Sequence, residues 1–141
     1  MYIDKALQFS DAQAVTADAV SENITDLKAA ASPHATADQT IGQEKMYLVM
    51  IVDVAFLTTV SMDVSLRSSD EVTLNSGHVT HATKNILLAA LTAGSKHVIG
   101  TFDGPINERY VGAYYDMNTN ATAGAVTTFL TKDIDQGWPL A

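Results

Sequence analysis

Two apolar segments separated by a short gap dominate the pattern of this chain. Met46-Tyr47-Leu48-Val49-Met50-Ile51-Val52 is a continuous apolar run, after which Val60, Met62, Val64 and Leu66 alternate with Thr59, Ser61, Asp63 and Ser65. A period of two places alternate side chains on opposite faces of a pleated strand. The second segment is therefore expected to be a half-buried antiparallel strand, and the first a strand covered on both faces. Strands are predicted at about 45–57 and 59–68, and again at His97–Phe102, Arg109–Met117 and Ala123–Lys132. The turn chemistry of Ser68-Ser69-Asp70 leads to a short strand near Glu71–Leu74 and then a loop at Asn75-Ser76-Gly77. Asp103-Gly104-Pro105 and Asn118-Thr119-Asn120 supply further turns.

The remaining segments are less regular. Ser10-Asp11-Ala12-Gln13 has capping-box spacing, but Val15, Thr16, Val20, Ile24 and Thr25 are β-branched and keep no helical stripe. The expectation is an extended N-terminal arm over residues 1–15, then a strand around Ser21–Leu27. Ala29–Gln43, small and polar with Pro33 and Gly42, reads as a loop. Asn85–Ala93 suits one or two helical turns ended by Gly94, since Ile86, Leu87, Ala90 and Leu91 share one face. The fold expected is all-β: an antiparallel β-sandwich or jelly roll, with an extended arm and one short helix, as a single domain over residues 1–141.

Composition narrows the function. The 141 residues are enough to bury one core without metals or disulfides, and cysteine is absent, so no disulfide or thiolate metal site is possible. Eight basic against sixteen acidic residues give a net charge of −8, which disfavours nucleic acid and anionic membrane surfaces as partners. Charged residues are only 17%, so Ser, Thr, Asn and Gln cover much of the surface. Met1-Tyr2-Ile3-Asp4-Lys5 lacks the basic start and apolar stretch of a signal peptide. The apolar run is broken by Asp53 well short of the ~20 residues that cross a bilayer. A soluble protein without an export signal is expected.

Each candidate for chemistry has a plainer reading. His78 and His81 are three apart, on opposite faces of any strand, and lack a Glu in zinc-protease spacing. Asp116-x-Asn118-x-Asn120 imitates a calcium loop, yet Ala121 stands where Gly is required and Thr127 where the bidentate Glu belongs. Asp53 inside the apolar run needs a partner, Lys45, Arg67 or Arg109, or an exposed strand end. Gly100, Gly104 and Gly112 make no phosphate-binding pattern, and no G-x-S-x-G presents a serine nucleophile. Asn23-Ile24-Thr25 and Asn120-Ala121-Thr122 match the glycosylation sequon, as chance does in a chain without a secretory signal. No catalytic, cofactor-binding or metal-binding residue is assigned, and an enzyme is not expected.

The chain ends are apolar instead. Tyr2, Ile3, Leu7 and Phe9 mark the N-terminal arm, and Trp138-Pro139-Leu140 holds the only tryptophan. Either both ends fold back on their own domain, or they reach a neighbouring subunit. Aromatic anchors favour interfaces, so Tyr2, Ile3, Leu7, Phe9, Trp138 and Leu140 are the candidate interface residues.

Three blocks carry a resemblance. The opening Met1-Tyr2-Ile3-Asp4-Lys5-Ala6-Leu7-Gln8-Phe9-Ser10-Asp11-Ala12-Gln13-Ala14 is the first. Tyr47-Leu48-Val49-Met50-Ile51-Val52-Asp53-Val54-Ala55-Phe56 is the second. The third pairs Arg109-Tyr110-Val111-Gly112-Ala113-Tyr114-Tyr115 with Thr122-Ala123-Gly124-Ala125-Val126-Thr127-Thr128-Phe129-Leu130. In this order they resemble the capsid cement proteins of short-tailed bacteriophages, the family typified by the Bordetella phage cement protein. The stretch from Ser69 to Lys96 departs most from that pattern. The resemblance implies a jelly roll on the outer surface of the mature capsid, made in the host cytoplasm. It implies a homo-oligomer, a homodimer ahead of a trimer, that stabilises contacts between major capsid protein subunits without cofactor or reaction. Two other classes compete with it: a virion adhesin or tail-associated receptor-binding sandwich, and a cupin-type enzyme, which requires clustered His and carboxylate ligands.

Overall fold

The computed structural model describes residues 8–26, 45–102, 106 and 108–132. Among the described residues, nine strands form two antiparallel sheets: β1 Gln8–Ala14, β2 Ala19–Val20, β3 Thr25–Asp26, β4 Met46–Leu57, β5 Ser61–Ser69, β6 Val79–Leu87, β7 Lys96–Phe102, β8 Tyr110–Met117 and β9 Ala123–Thr131. Sheet 1 has the order β1-β9-β4-β7, and sheet 2 the order β2-β8-β5-β6 with β3 also on β8. Between the two sheets the chain crosses after β1, β3, β4, β6, β7 and β8. Among the described strands, only the β5–β6 hairpin joins neighbours of one sheet over its full length. The sandwich therefore has jelly-roll connectivity.

The apolar pattern explains the layers. From β4, Leu48, Met50 and Val52 point into the core between the sheets, while Val49, with Val98 and Phe129, forms a second buried apolar cluster on the opposite face. No described strand packs over that outer face. Apolar side chains on both faces are why residues 46–52 read as a continuous run rather than an alternation. On β5 the alternation holds from Met62 through Val64 and Leu66, all fully buried. Val60 does not share it: it precedes the strand and is 59% exposed. From β8 the core receives Val111, Ala113, Tyr115 and Met117.

A hydroxyl chain ties the sheets together. The fully buried Tyr115 hydroxyl lies 2.7 Å from Ser10 Oγ and 2.7 Å from Thr128 Oγ1, and Ser10 Oγ donates to Gln13 Oε1 at 2.7 Å. Ser10 has one proton, so Tyr115 donates to Ser10, and Thr128 donates to Tyr115. Burial, ahead of every other influence, pushes the phenol up to about 12.

Several expectations need correction. The N-terminal arm over 1–15 is a strand from Gln8 onward, paired with β9. Phe9 is fully buried in the core of its own sandwich, so it is not an interface anchor. The strand around Ser21–Leu27 is two short pieces, β2 and β3, which meet β8 on either side of residues 21–24. No strand forms at Glu71–Leu74. Those residues turn back over the outer face of sheet 2, where Leu74, at φ 55°, is fully buried. Gly112 makes the space for it, since a Cβ there would lie 2.9 Å from Leu74 Cδ1 and 3.0 Å from Ser21 Oγ. The helix expected over Asn85–Ala93 is the end of β6 followed by a single 3-10 turn, Leu88–Ala90. Pairing of β6 with β5 across its whole length outweighs the local helical spacing. The loop at Ala29–Gln43 lies outside the described residues.

Candidate interaction surface

The candidate residues fall at different places. Tyr2, Ile3, Leu7, Trp138 and Leu140 lie outside the described residues, and Phe9 is in the core. Asp53 is exposed and accepts a hydrogen bond from Thr127 Oγ1 at 2.6 Å. The same Thr127 oxygen accepts from the Ala12 amide at 3.0 Å, holding Ala12 at φ 49° where β1 bulges. Its role in the described structure is thus to fix a bulge, and Arg109 is engaged elsewhere, in a two-pronged pair with Asp26 at 3.1 Å. Asp116 is the penultimate residue of β8, and Asn118 and Asn120 occupy the connection to β9. Among the described residues, no three His, Asp or Glu side chains are grouped as a metal ion needs.

The two histidines separate as well. His78 is exposed in the β5–β6 loop. His81 sits at a β-bulge, where the register with β5 shifts between Leu66 and Arg67. The bulge re-aims its ring inward, so that Nε2 lies 2.7 Å from Ser68 Oγ. Ser68 Oγ in turn donates to Glu108 Oε1 at 2.9 Å. A serine, a histidine and a carboxylate in contact invite a catalytic reading, but the proton order is wrong for it. The single Ser68 proton goes to Glu108, so His81 Nε2 must donate to Ser68 and cannot take its proton. Ser68 is also fully buried. Burial lowers the His81 pKa, and the Glu108 charge opposes that shift. The cluster closes the end of the sandwich.

The opposite end is where exposed features gather. The β1–β2, β4–β5, β6–β7 and β8–β9 connections all lie there, as the pairings Ala14–Ala125, Leu57–Ala123, Ile51–Lys96 and Ser61–Leu87 require. Backbone hydrogen bonds lace them together: Thr122 N to Leu57 O at 3.0 Å, Ala121 N to Thr16 O at 2.9 Å, Asn118 N to Ser61 O at 3.1 Å and Leu88 N to Val60 O at 3.1 Å. Inside the β4–β5 turn, Thr58 adopts φ 75°, a conformation costly for a β-branched residue. Its hydroxyl lies 2.8 Å from that of Thr122, which holds the turn. Loops fixed to a rigid scaffold in this way suit recognition.

Two sets of side chains stand out on this platform. Leu57, Val60 and Leu87 are 55%, 59% and 62% exposed, although each is large and apolar. Leu57 and Val60 flank the strained turn, and Leu87 pairs with Ser61 immediately after it. Beside them is an acidic group. Asp63 and Asp116 are directly opposed on β5 and β8, and Asp18 accepts from the Met117 amide at 2.7 Å. Like charges opposed across strands destabilise a sheet. Desolvation first, then the charges of Asp18 and Asp63, raise the Asp116 pKa, against an opposing pull from Arg67. Arg67 itself stacks on Tyr114, 4.0 Å from the ring centre.

Sequence reasoning missed this platform. Strict alternation assigned Val60 to the core, and a helix assigned Leu87 to an apolar stripe. The readable signal was the unbroken Leu57-Thr58-Thr59-Val60 turn, which carries large apolar residues with no glycine. No described helix is long and apolar enough to cross a membrane.

No curated protein matches the chain. The family model described as Bbp16 matches residues 9–130, most of the 141 residues and all but the first residue of β1 and the last of β9. The chain belongs to the Bbp16 family.

Proposed function

We propose that this chain is a structural virion protein that binds the outer surface of a mature phage capsid as cement. The carrying observation is membership of the Bbp16 family, whose name points to a Bordetella phage protein, across a complete jelly roll. The three sequence blocks that resemble capsid cement proteins fall on β1, β4, β8 and β9, that is, both central strands and an edge of sheet 1 and one central strand of sheet 2. The partner in this reading is the major capsid protein, and the cement acts as a homo-oligomer, a dimer ahead of a trimer. No reaction and no cofactor belong to the role.

The mechanism is linkage. Packaged DNA loads the seams between capsid subunits, and a protein that binds across a seam stabilises the shell only insofar as it prefers the assembled lattice to free subunits. Many copies on a symmetric lattice let each contact be modest. A sandwich stitched through Tyr115 deforms little, so strain at a seam passes through it instead of being absorbed.

The experiment is binding of the purified full chain to expanded, cement-free capsids, followed by heating. Saturable binding that raises the temperature of capsid disruption, absent with compact procapsids, is the expected result. No binding to expanded capsids, with the protein found on tail preparations, would replace cement by a receptor-binding module.

A further inference from the structure

Resting on the cement reading, we infer that the β4–β5 platform is the face that docks on the shell, and that it fits an apolar depression flanked by lysine or arginine side chains. The occupant is a protein surface. Leu57, Val60 and Leu87, each more than half exposed, lie at the same end of the sandwich, on the β4–β5 turn and the end of β6, which the Leu88 N to Val60 O hydrogen bond joins. Isolated exposed apolar residues need no explanation, but three gathered at one rigid end are a contact site in waiting.

The charge pattern identifies the partner. Asp18, Asp63 and Asp116 lie at the same end, with Asp63 only two residues along β5 from Ser61, the partner of Leu87. Asp116 faces Asp63 across the β5–β8 pair, and desolvation first, then the charges of Asp18 and Asp63, raise its pKa. Lysine or arginine on a partner relieves the same repulsion on binding. From within the chain the relief is partial: Arg67 opposes the rise in the Asp116 pKa, and Asn85 Nδ2 donates to Asp63 Oδ1 at 2.6 Å. Arg67 is stacked on Tyr114, while Lys84 acts on His97 at the β6–β7 edge. Exposed apolar residues beside charged ones are the anatomy of a protein–protein contact.

The test uses three variants of the full chain, each checked for an unchanged melting temperature. These are Leu57→Ser/Val60→Ser/Leu87→Ser, Asp63→Lys/Asp116→Lys, and Val72→Ser/Val79→Ser. The last alters exposed apolar residues at the opposite end of the β5–β6 hairpin. Binding to expanded, cement-free capsids is titrated at low and high salt. A loss of tenfold or more in the first two variants, with the third unchanged, is expected, together with weaker wild-type binding at high salt. Equal binding by the platform variants, or loss confined to Val72→Ser/Val79→Ser, overturns the docking face while leaving the cement reading in place. Failure of the wild type to bind capsids at all overturns both. Should the triple serine variant melt early, the charge-reversal variant decides alone, since Asp63 and Asp116 point outward from their strands.

Discussion

At the scale of single residues, hydroxyls and glycines decide more than charges do. Tyr115 is the clearest case, because its proton chain from Thr128 through Ser10 to Gln13 joins β8 to β1 and β9. Tyr115→Phe leaves Ser10 and Thr128 short of a partner and should cost about 1–2 kcal/mol at neutral pH by urea unfolding. A second signature separates this from lost packing. With its pKa raised from 10.0 to about 12, the wild-type phenol ionises in the unfolded chain before it does in the fold. Its contribution is complete below pH 10 and is lost as pH rises towards 12, a change of about 3 kcal/mol. Tyr115→Phe should lack that part of the alkaline decline. The presence of Tyr115 on an inward face was legible from the alternation of β8. Its partners were not, because Ser10 lies 105 residues away.

At the scale of elements, the irregularities in the strands are what shape the sandwich. Where β9 begins, Gly124 takes φ 151°, and a Cβ there would lie 2.5 Å from the Phe56 ring. Phe56 is buried against this bare backbone. Gly124→Ala should therefore destabilise the protein by about 2–3 kcal/mol, through overpacking and an unfavourable φ together. Phe56→Leu in the same chain should recover part of the loss if the clash dominates, as a double-mutant cycle would measure. None if it does not. The strands themselves were readable wherever both neighbours were apolar or alternating, as at β4, β8 and β9. The β6 strand was not, since Val79–Leu87 is mostly polar and sits at an edge, where pairing with β5 supplies what the side chains do not. The bulges at Ala12 and His81 were equally hidden, because a bulge is a mismatch between two strands and belongs to neither sequence alone.

At the scale of the whole molecule, groups at both ends of the sandwich set its response to acid. His97, buried with Nε2 donating to Ala90 O at 3.0 Å, has its pKa lowered by desolvation, with Lys84 adding to the shift against the Ala90 hydrogen bond. His81 is lowered by desolvation against the pull of Glu108. For both, the unfolded chain takes up a proton first as pH falls, so their contribution is present above about pH 6.5 and is lost below it. Asp116 acts in the opposite sense, its raised pKa adding stability as it is protonated in more acid solution. Melting temperature should therefore fall as pH drops from 7 towards 5.5, and less steeply in His97→Gln than in the wild type once each is compared with its own value at pH 7. An unchanged slope in His97→Gln would remove that histidine from the account.

The sequence by itself determined the class of the fold and the absence of thiol chemistry, because alternation, apolar runs and composition are local properties that survive any tertiary arrangement. It also carried the three blocks that resemble cement proteins. Only the tertiary structure decided that Phe9 is core, that Ser68, His81 and Glu108 meet in an order unfit for catalysis, and that Leu57, Val60 and Leu87 are exposed at one end of the sandwich. Each depends on which strands become neighbours. In a jelly roll nearly every connection crosses to the other sheet, so residues far apart in the chain become adjacent, and a one-residue bulge redirects a side chain without leaving a mark in local composition.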